Sequence, residues 1–344
     1  MTMTVDLSAG LDPDFEYFIA ERPANPEMRD SSTLWIMDEA GALAFPRVTF
    51  DAIAGDWDNP WVQLNFVDRS GRTLRLWSQE PGRLEHDSDG RPAIRGAGPL
   101  GFHCVEPFRR WTMAFNGKAL RSTTVAQMAG KAGGEPVDLA FRFEAEMATP
   151  PWLMGGMTAE AARMMKEGDG SALMGGVRYE QLCRVKGTVT VDGEEHEITG
   201  TGMRVRRQGV RNMGAALGHC QHSALFPSGR GFGANIMSRG PEGPVAFNEA
   251  CLFDERGRQI PARVIEAPWM TRLVEHGDEA NLVFDSAEGI VRIQGQVLAS
   301  LFDDHLFEMA DTSILHQGIA RYVWDGEETI GLIERCTLKD RIAG

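Results

Sequence analysis

The segment VDLAFRFEAEM, at residues 137–147, decides the fold class. Apolar side chains occupy every second position of this segment, and charged residues fill most of the positions between them. A period of two residues is typical of a β-strand with one face buried and the other in water. The same alternation recurs more weakly at residues 62–66, 74–76, 111–115, 185–191 and 291–293. The sequence therefore predicts an all-β protein.

Turn signals separate these segments. The pattern Asp-x-x-Gly occurs at residues 38–41, 68–71, 87–90 and 254–257, and Asp-Gly or Asn-Gly pairs occur at 116–117, 192–193 and 325–326. The Asp or Asn side chain accepts a local backbone hydrogen bond, and Gly adopts the positive φ that closes a hairpin. Many short strands joined by hairpins are typical of an antiparallel sandwich or barrel.

One stretch, rich in Met and Gly, interrupts the strand pattern at residues 156–175. It contains the best helix candidate, at residues 158–166, where Thr158 can cap a run of alanines and Gly168 can end it. We interpret this stretch as a connector. The predicted organisation is an N-terminal lead at 1–24, a first β domain at 25–155, the connector, and a second β domain at 176–344.

Composition limits the partners and the location of the protein. The 344 residues include 35 Lys and Arg against 49 Asp and Glu, a formal net charge of −14 that repels nucleic-acid phosphates. No apolar run reaches the roughly 18 residues needed to span a membrane, and the N-terminus does not look like a secretory signal. We therefore expect a cytoplasmic protein that binds no nucleic acid. The oligomeric state stays open, a homodimer included.

The cysteines and histidines do not predict a metal site. Five cysteines are scattered without a Cys-x-x-Cys pair, which is typical of reduced thiols. His219 and His222 lie three residues apart. On a strand such positions point to opposite faces, so the two rings cannot hold one ion. We expect no metal and no cofactor.

Several segments together resemble the superfamily of carotenoid 1,2-hydratase (hydroxyneurosporene synthase) and AttH-like proteins. They are residues 107–117, 179–181, 185–193, 198–204 and 324–334. The resemblance implies two consecutive lipocalin-like β-barrels. The relatives include carotenoid hydratases and Diels–Alderase-type cyclases, which use no metal or organic cofactor. Arg204 matches an Arg of the family, and in many relatives the sequence Asp-His-x-Trp-Gly follows that Arg. This chain has Val-Arg-Arg-Gln-Gly instead, so the chemistry of those groups does not carry over.

Arginines near this departure are candidates for substrate binding. Arg204, Arg206 and Gln208 alternate with apolar residues, so one strand face is long and polar. Either this face is a solvated barrel exterior, or it is a cavity wall in which Arg206 or Arg211 binds an oxygen or enolate of the ligand. For Arg204 we favour a structural pairing with Glu180.

Proton transfer needs an imidazole or a carboxylic acid near the ligand. His222 is the first candidate, because it follows the Arg-rich segment and precedes a strand. Glu249 and Asp311 are the candidate acids, since burial among apolar neighbours would raise the pKa of either. The alternative for each is a structural or exposed side chain. Tyr179 and Trp111, in the segments that carry the resemblance, complete the predicted substrate-binding set.

These observations predict a cofactor-independent lyase or hydratase, isomerase or cyclase. Its substrate would be a terpenoid, steroid, polyketide or aromatic compound, held in a hydrophobic pocket in or between the barrels. The alternative is a carrier protein for a lipophilic small molecule. The absence of the Asp-His-x-Trp pattern favours this alternative.

Overall fold

The alternating segment forms most of strand β9 (Glu135–Met147), in which residues with buried and less buried side chains alternate from Val137 onward. The computed structural model describes residues 6–131, 133–166, 175–211, 218–238, 245–303 and 312–342. Strands dominate this part of the chain. The all-β prediction is therefore confirmed.

The described residues form two antiparallel sheets. The other strands of the first sheet are β1 (Met28–Asp38), β2 (Leu43–Ile53), β3 (Trp61–Asp68), β4 (Arg72–Gln79), β5 (Gly82–Glu85), β6 (Ile94–Ala97), β7 (Leu100–Glu106), β8 (Arg110–Thr123), β10 (Trp152–Leu153), β11 (Val177–Val191) and β12 (Glu194–Val210). The second sheet contains β13 (Gly218–Leu225), β14 (Gly231–Ser238), β15 (Val245–Phe253), β16 (Gln259–Glu266), β17 (Leu282–Ser286), β18 (Gly289–Asp303), β19 (Ser313–Trp324) and β20 (Glu327–Leu338).

Helices are few within the described ranges. They are α1 (Thr124–Met128), α2 (Ala159–Lys166) and three short 3-10 turns, Pro13–Glu16, Ala54–Asp56 and Lys339–Arg341. Helix α2 confirms the predicted helix, and the Thr158 hydroxyl caps it by accepting a hydrogen bond from the Ala161 N–H at 3.0 Å. None of these helices is long and apolar enough to cross a membrane.

Both sheets close on themselves. Strands β13 to β20 form a closed barrel in chain order, the second barrel. In the first sheet, the pairings run from β11 through β12, β1, β2, β3, β4, β8 and β9 and return to β11. Strands β5–β7 and β10 branch from this eight-strand circuit.

The last two strands of the first sheet come from beyond the Met- and Gly-rich connector. Strand β11 pairs with both β9 and β12, and β12 pairs with β1 along its length, from Met28 opposite Val210 to Asp38 opposite Gly200. Sequence analysis assigned these strands to the second domain. Because they complete the first circuit, we propose that the two folding units divide after Val210.

Most of the predicted turns are present. In each of the four Asp-x-x-Gly turns, the Gly N–H donates to the Asp carbonyl and Gly has a positive φ. Asp192-Gly193 and Asp325-Gly326 both have two successive positive φ angles, the geometry of a tight hairpin turn. The turn predicted at Asn116-Gly117 is wrong, because both residues lie within β8.

Three of the five apolar clusters among the described residues organise the packing of the two sheets. One fills the first sheet, one fills the second barrel, and one lies between the two. The cluster between the sheets includes Trp35, Trp152, Leu182, Leu301 and Leu332, all nearly inaccessible to solvent. Burial of so much apolar surface fixes the two sheets against each other. It also forms the apolar side of a polar cavity, the candidate site.

Candidate functional site

Strand β13 presents its two faces to different surroundings. Ala224 belongs to the cluster inside the second barrel, whereas His219 and Gln221 line a cavity between that barrel and the first sheet. His222 has the same parity as Ala224 and is fully buried. His219 and His222 therefore lie on opposite faces, as the two-residue period requires. No group of three metal-ligand residues occurs among the described residues.

His222, the predicted proton carrier, makes a hydrogen bond inside the second barrel. Its Nδ1 lies 2.8 Å from the Tyr322 hydroxyl, which donates to the Leu332 carbonyl at 3.0 Å. Burial and the nearby Arg335 guanidinium lower the pKa of His222 to about 3, so the ring stays neutral at pH 7. Since His222 does not line the inter-sheet cavity, we do not include it in the site.

Glu249, the first predicted acid, holds the segment that follows β10. Its carboxylate accepts hydrogen bonds from Trp152 Nε1 at 2.9 Å, from the Gly155 N–H at 2.7 Å and from the Met157 N–H at 2.9 Å. Burial raises the pKa of Glu249 even though these three bonds oppose the rise. Its contacts are those of a structural anchor. The second predicted acid, Asp311, lies outside the described residues.

Arg206 lies on the inner face of the first sheet, where it forms a buried ion pair with Asp30. Its guanidinium also donates to the carbonyls of Tyr17 at 2.6 Å and Ser31 at 3.0 Å. These contacts stabilise the end of the sheet and do not face the inter-sheet cavity. Arg211, the other predicted ligand-binding arginine, does line that cavity.

Tyr179 and Trp111 meet at one carboxylate, that of Glu16. Trp111 Nε1 and the Phe108 N–H each donate to Glu16 at 2.8 Å, Arg204 donates at 2.7 Å, and the Tyr179 hydroxyl donates as well. Burial alone would raise the pKa of Glu16, but the Arg204 guanidinium and these hydrogen bonds hold it below its ordinary value. Arg204 forms a buried ion pair with Glu16 and not with Glu180, the partner expected from the sequence.

The inter-sheet cavity has a volume of about 60 Å³ and receives side chains from both sheets. Its walls are mainly polar. The lining residues are Ser31, Thr33, Trp35, Arg47, Thr49, Arg178, Val205, Arg207, Arg211, His219, Gln221, Met237 and Glu334. The first sheet supplies the arginines, and the second barrel supplies the histidine and the carboxylate.

Guanidinium groups dominate the first-sheet wall of this cavity. Arg47 pairs with Glu334 at 2.5 Å, and Arg178 pairs with Glu180 at 2.5 Å. Burial, followed by the guanidiniums of Arg29, Arg178 and Arg47, lowers the pKa of Arg211 to about 9. The group therefore still carries its charge at neutral pH.

His219 and Glu334 form a hydrogen-bonded pair on the opposite wall. His219 Nε2 lies 2.9 Å from a Glu334 carboxylate oxygen, and His219 Nδ1 is buried without a hydrogen-bond partner. Burial would raise the pKa of Glu334, but the Arg47 guanidinium and the hydrogen bond from His219 hold it well below its ordinary value. The carboxylate is thus ionised and orients the imidazole.

The sequence did not identify His219 or Arg207. Each lies on the opposite face of its strand from the residue predicted there, which is His222 for His219 and Arg206 for Arg207. Alternation separates neighbouring side chains but does not say which face meets the second sheet. One signal was available for Arg207. It shares its face with Met203 and Val205, so it is a charge at the end of an apolar strip.

Comparison with known families places the chain in one of them. The model of the domain of unknown function DUF7064 matches residues 20–339. The chain belongs to this family. The DUF7064 match covers both sheets and every residue that lines the inter-sheet cavity. Comparison with the curated proteins finds no match.

Solved structures resemble the fold of this DUF7064 protein at low sequence identity. A protein described as AttH from Nitrosomonas europaea has a TM-score of 0.53 at 15% identity, covering 93% of this chain and 98% of its own. CghA has a TM-score of 0.55 at 12% identity, covering 92% and 89%, and a further structure contains CghA with Sch210972. The AttH-like fold is confirmed, and carotenoid 1,2-hydratase stays a prediction.

Proposed function

We propose that this protein is an enzyme that moves a proton on a hydrophobic small molecule, as a lyase, hydratase, isomerase or cyclase, and that the reacting group of this molecule lies at the inter-sheet cavity. The observation that carries the proposal is the His219–Glu334 pair, which faces a set of guanidiniums across the cavity. A structure of CghA with Sch210972 shares the fold, and this supports a small-molecule ligand. Trp35, Val205 and Met237 supply apolar surface for it.

The pair has the geometry of a general base. When His219 is neutral and its Nε2–H donates to Glu334, Nδ1 carries the lone pair. That nitrogen has no hydrogen-bond partner in the protein and can accept a proton from a bound substrate. The ionised Glu334 then stabilises the imidazolium that forms, as a carboxylate behind a catalytic histidine does. The guanidiniums opposite can stabilise negative charge that develops on a substrate oxygen.

The experiment starts from the freshly purified protein. Native mass spectrometry, followed by organic extraction, identifies any small molecule that copurifies, and a metabolite screen supplies candidates if none does. The compound is then incubated with the wild-type protein and with His219→Gln. We expect turnover by the wild type and a loss of about 10²–10⁴-fold in His219→Gln, with ligand still bound, because general-base catalysis is removed.

His222→Gln is the matched control. It lies three residues along the same strand on the opposite face, so we expect it to retain turnover per folded molecule. Loss of turnover in His222→Gln together with full activity in His219→Gln would contradict the proposal and return the role to His222.

A carrier protein is the second candidate, favoured by a specific observation. The described carboxylates at or near the cavity are engaged, since Glu334 pairs with Arg47 and Glu180 pairs with Arg178. A hydration that starts by protonating an alkene needs a free carboxylic acid. A copurified compound that the wild-type protein binds and leaves unchanged would establish the carrier function.

A further inference from the structure

A second hollow lies at one end of the second barrel, apart from the inter-sheet cavity. Ile314, at the start of β19, has the same parity as Ala320 and Tyr322, which point into the barrel, so it faces the barrel axis at the opening. The hollow beside Ile314 has a volume of about 280 Å³, and none of its described lining residues lines the inter-sheet cavity. We call it the barrel-mouth pocket, and its lining includes Arg75, Gln127, Met128, Leu273, Phe302 and Ile314. Barrel openings are common positions for ligand sites.

Apolar side chains from separate parts of the chain form most of the described wall of this pocket. Met128 comes from α1, Leu273 from the segment after β16, Ile342 from the segment after β20, and Phe302 and Ile314 from the second barrel. The first three are only partly buried. A hollow with such walls offers water few hydrogen-bond partners, so an apolar ligand that displaces this water gains free energy.

Hydrogen bonds fix helix α1, one wall of the pocket, against the second barrel. The Gln127 side chain accepts a hydrogen bond from the Phe302 N–H at 3.0 Å and donates to the Thr73 hydroxyl at 3.2 Å. At the start of the same helix, the Thr124 hydroxyl donates to the Ser300 carbonyl at 2.5 Å. A ligand therefore meets a wall that is already ordered, which lowers the entropic cost of binding.

The Arg75 guanidinium supplies a polar group at one side of the pocket. Its Nη2 pairs with the Asp303 carboxylate, and its other two nitrogens make no hydrogen bond within the described residues. The Arg75 side chain keeps 15% of its surface accessible. A guanidinium presents several N–H donors, so Arg75 can donate to a ligand oxygen while it remains paired with Asp303.

We propose that the barrel-mouth pocket binds a small apolar molecule of one or two rings, with a hydrogen-bond acceptor of that molecule beside Arg75. An apolar cavity of about 150 Å³ holds a benzene ring. The volume of about 280 Å³ is therefore sufficient for two fused rings.

This site goes beyond the proposed function, because it lies apart from His219 and no proton transfer is assigned to it. One row of the first sheet separates the two sites. Arg47 at the inter-sheet cavity and Arg75 at the barrel-mouth pocket flank Asn65 in this row, and Asn65 donates to Gln317 of the second barrel. Each site can therefore be tested without the other.

Binding is measured on the full-length protein with 2-naphthoate and with 2-methylnaphthalene, a probe of matched shape that has no acceptor. Titration of probe fluorescence gives the affinity, and thermal unfolding gives the Tm. We expect both probes to bind and to raise the Tm, and 2-naphthoate to bind about tenfold more tightly. The net charge of −14 favours the opposite order, because it repels a carboxylate. Failure of both probes to bind would overturn the proposal, and equal affinities would overturn the role of Arg75.

Met128→Trp tests whether the probe lies in the barrel-mouth pocket. The larger side chain fills part of the pocket, so the affinity should fall by about tenfold or more while the probe-free Tm stays unchanged or rises. Val125→Trp is the matched control, because Val125 lies three residues earlier in α1, is 56% exposed and does not line the pocket. We expect it to bind the probe as the wild type does. If Met128→Trp lowers the probe-free Tm, Leu273→Trp on another wall replaces it, and wild-type affinity in the variant used would overturn the proposal.

His219→Gln distinguishes the barrel-mouth pocket from the inter-sheet cavity. A probe in the barrel-mouth pocket should bind His219→Gln with the wild-type affinity, whatever happens to turnover. An affinity that falls in His219→Gln and is unchanged in Met128→Trp would place the probe at the inter-sheet cavity and overturn the inference.

Discussion

The Glu16 carboxylate ties the N-terminal segment to the first sheet. It receives hydrogen bonds from four residues, one of which is the fully buried Arg204. The Arg204 guanidinium also stacks over the Trp111 ring, with its central carbon 4.7 Å from the ring centroid. Aromatic, cationic and anionic groups thus stabilise one another in a site without solvent. Each member therefore depends on the others for its own burial.

Glu16→Gln should be strongly destabilising, because it leaves the buried Arg204 charge without its counter-ion. The expected loss in free energy of unfolding is about 3–5 kcal/mol, measured by urea denaturation. Asp14→Asn, two residues earlier and exposed, is the control and should cost less than about 0.5 kcal/mol. Equal effects of the two substitutions would mean that Arg204 does not need the Glu16 charge.

His222 should make the protein less stable in mild acid. Its folded-state pKa of about 3 lies below the ordinary value of 6.5, so the unfolded chain binds a proton that the folded ring rejects. The contribution of His222 to stability is therefore full above about pH 6.5 and is lost as the pH falls toward 3. The expected slope is up to about 1.4 kcal/mol per pH unit.

The test compares unfolding free energies of the wild type and His222→Gln across pH 4 to 7. Gln cannot take up a proton, so the variant should show a shallower decline on the acid side. His86→Gln, at an exposed position, should leave the slope as it is in the wild type. The same steep slope in His222→Gln would assign the acid sensitivity to other groups, such as the buried His316.

At the scale of single elements, the pairing of β12 with β1 closes the first sheet. It requires a close approach of the two backbones at Gly200. A Cβ atom added there would lie 2.0 Å from the Met37 carbonyl oxygen in β1, closer than any real contact. Two strands far apart in the chain therefore depend on a residue without a side chain.

Gly200→Ala should separate these strands locally and lower the free energy of unfolding by about 1–3 kcal/mol or more, as overpacking does. Gly133→Ala is the matched control, because a Cβ at Gly133 meets nothing within 4 Å. Thermal unfolding of both variants checks the prediction. A Tm for Gly200→Ala that equals the wild-type value would show that β12 and β1 can shift apart at no cost.

Local patterns predicted the strands well and their surroundings poorly. The period of residues 137–147 and the Asp-Gly hairpins depend on neighbours in the chain, and both predictions are confirmed. Asn116-Gly117 has the same turn chemistry, but β8 continues through it and pairs with β9 on one side. The choice between His219 and His222 is likewise not local. It depends on where the first sheet lies, and no residue near β13 encodes that position.

At the scale of the whole molecule, direct hydrogen bonds join the two sheets beside the shared apolar cluster. Asn65 donates to Gln317 at 2.6 Å, and Arg47 donates to Glu334 at 2.5 Å. The second of these bonds connects the arginine wall of the cavity to the His219–Glu334 pair. A change in the packing of the sheets would therefore alter the proposed site directly.

A fragment of residues 1–211 should fold cooperatively, whereas residues 1–175 should not, because only the longer fragment contains β11 and β12. Far-ultraviolet circular dichroism during thermal unfolding measures both. We expect a single sigmoidal transition for 1–211 and a gradual, non-cooperative change for 1–175. A cooperative transition in 1–175 would place the boundary of the folding unit at the connector after all.

The late closure of the first sheet leaves one edge of β1 unpaired during much of the synthesis of the chain. Met28 begins β1 and pairs with Val210, so β1 has no partner on that edge until 182 further residues have been added. At a translation rate of about 5–20 residues per second, that edge stays unpaired for roughly 10–35 s while the chain is on the ribosome. An unpaired strand edge is a template for aggregation. The nascent chain should therefore need chaperone protection mainly in this interval, and slower translation before residue 210 should lower the yield of folded protein.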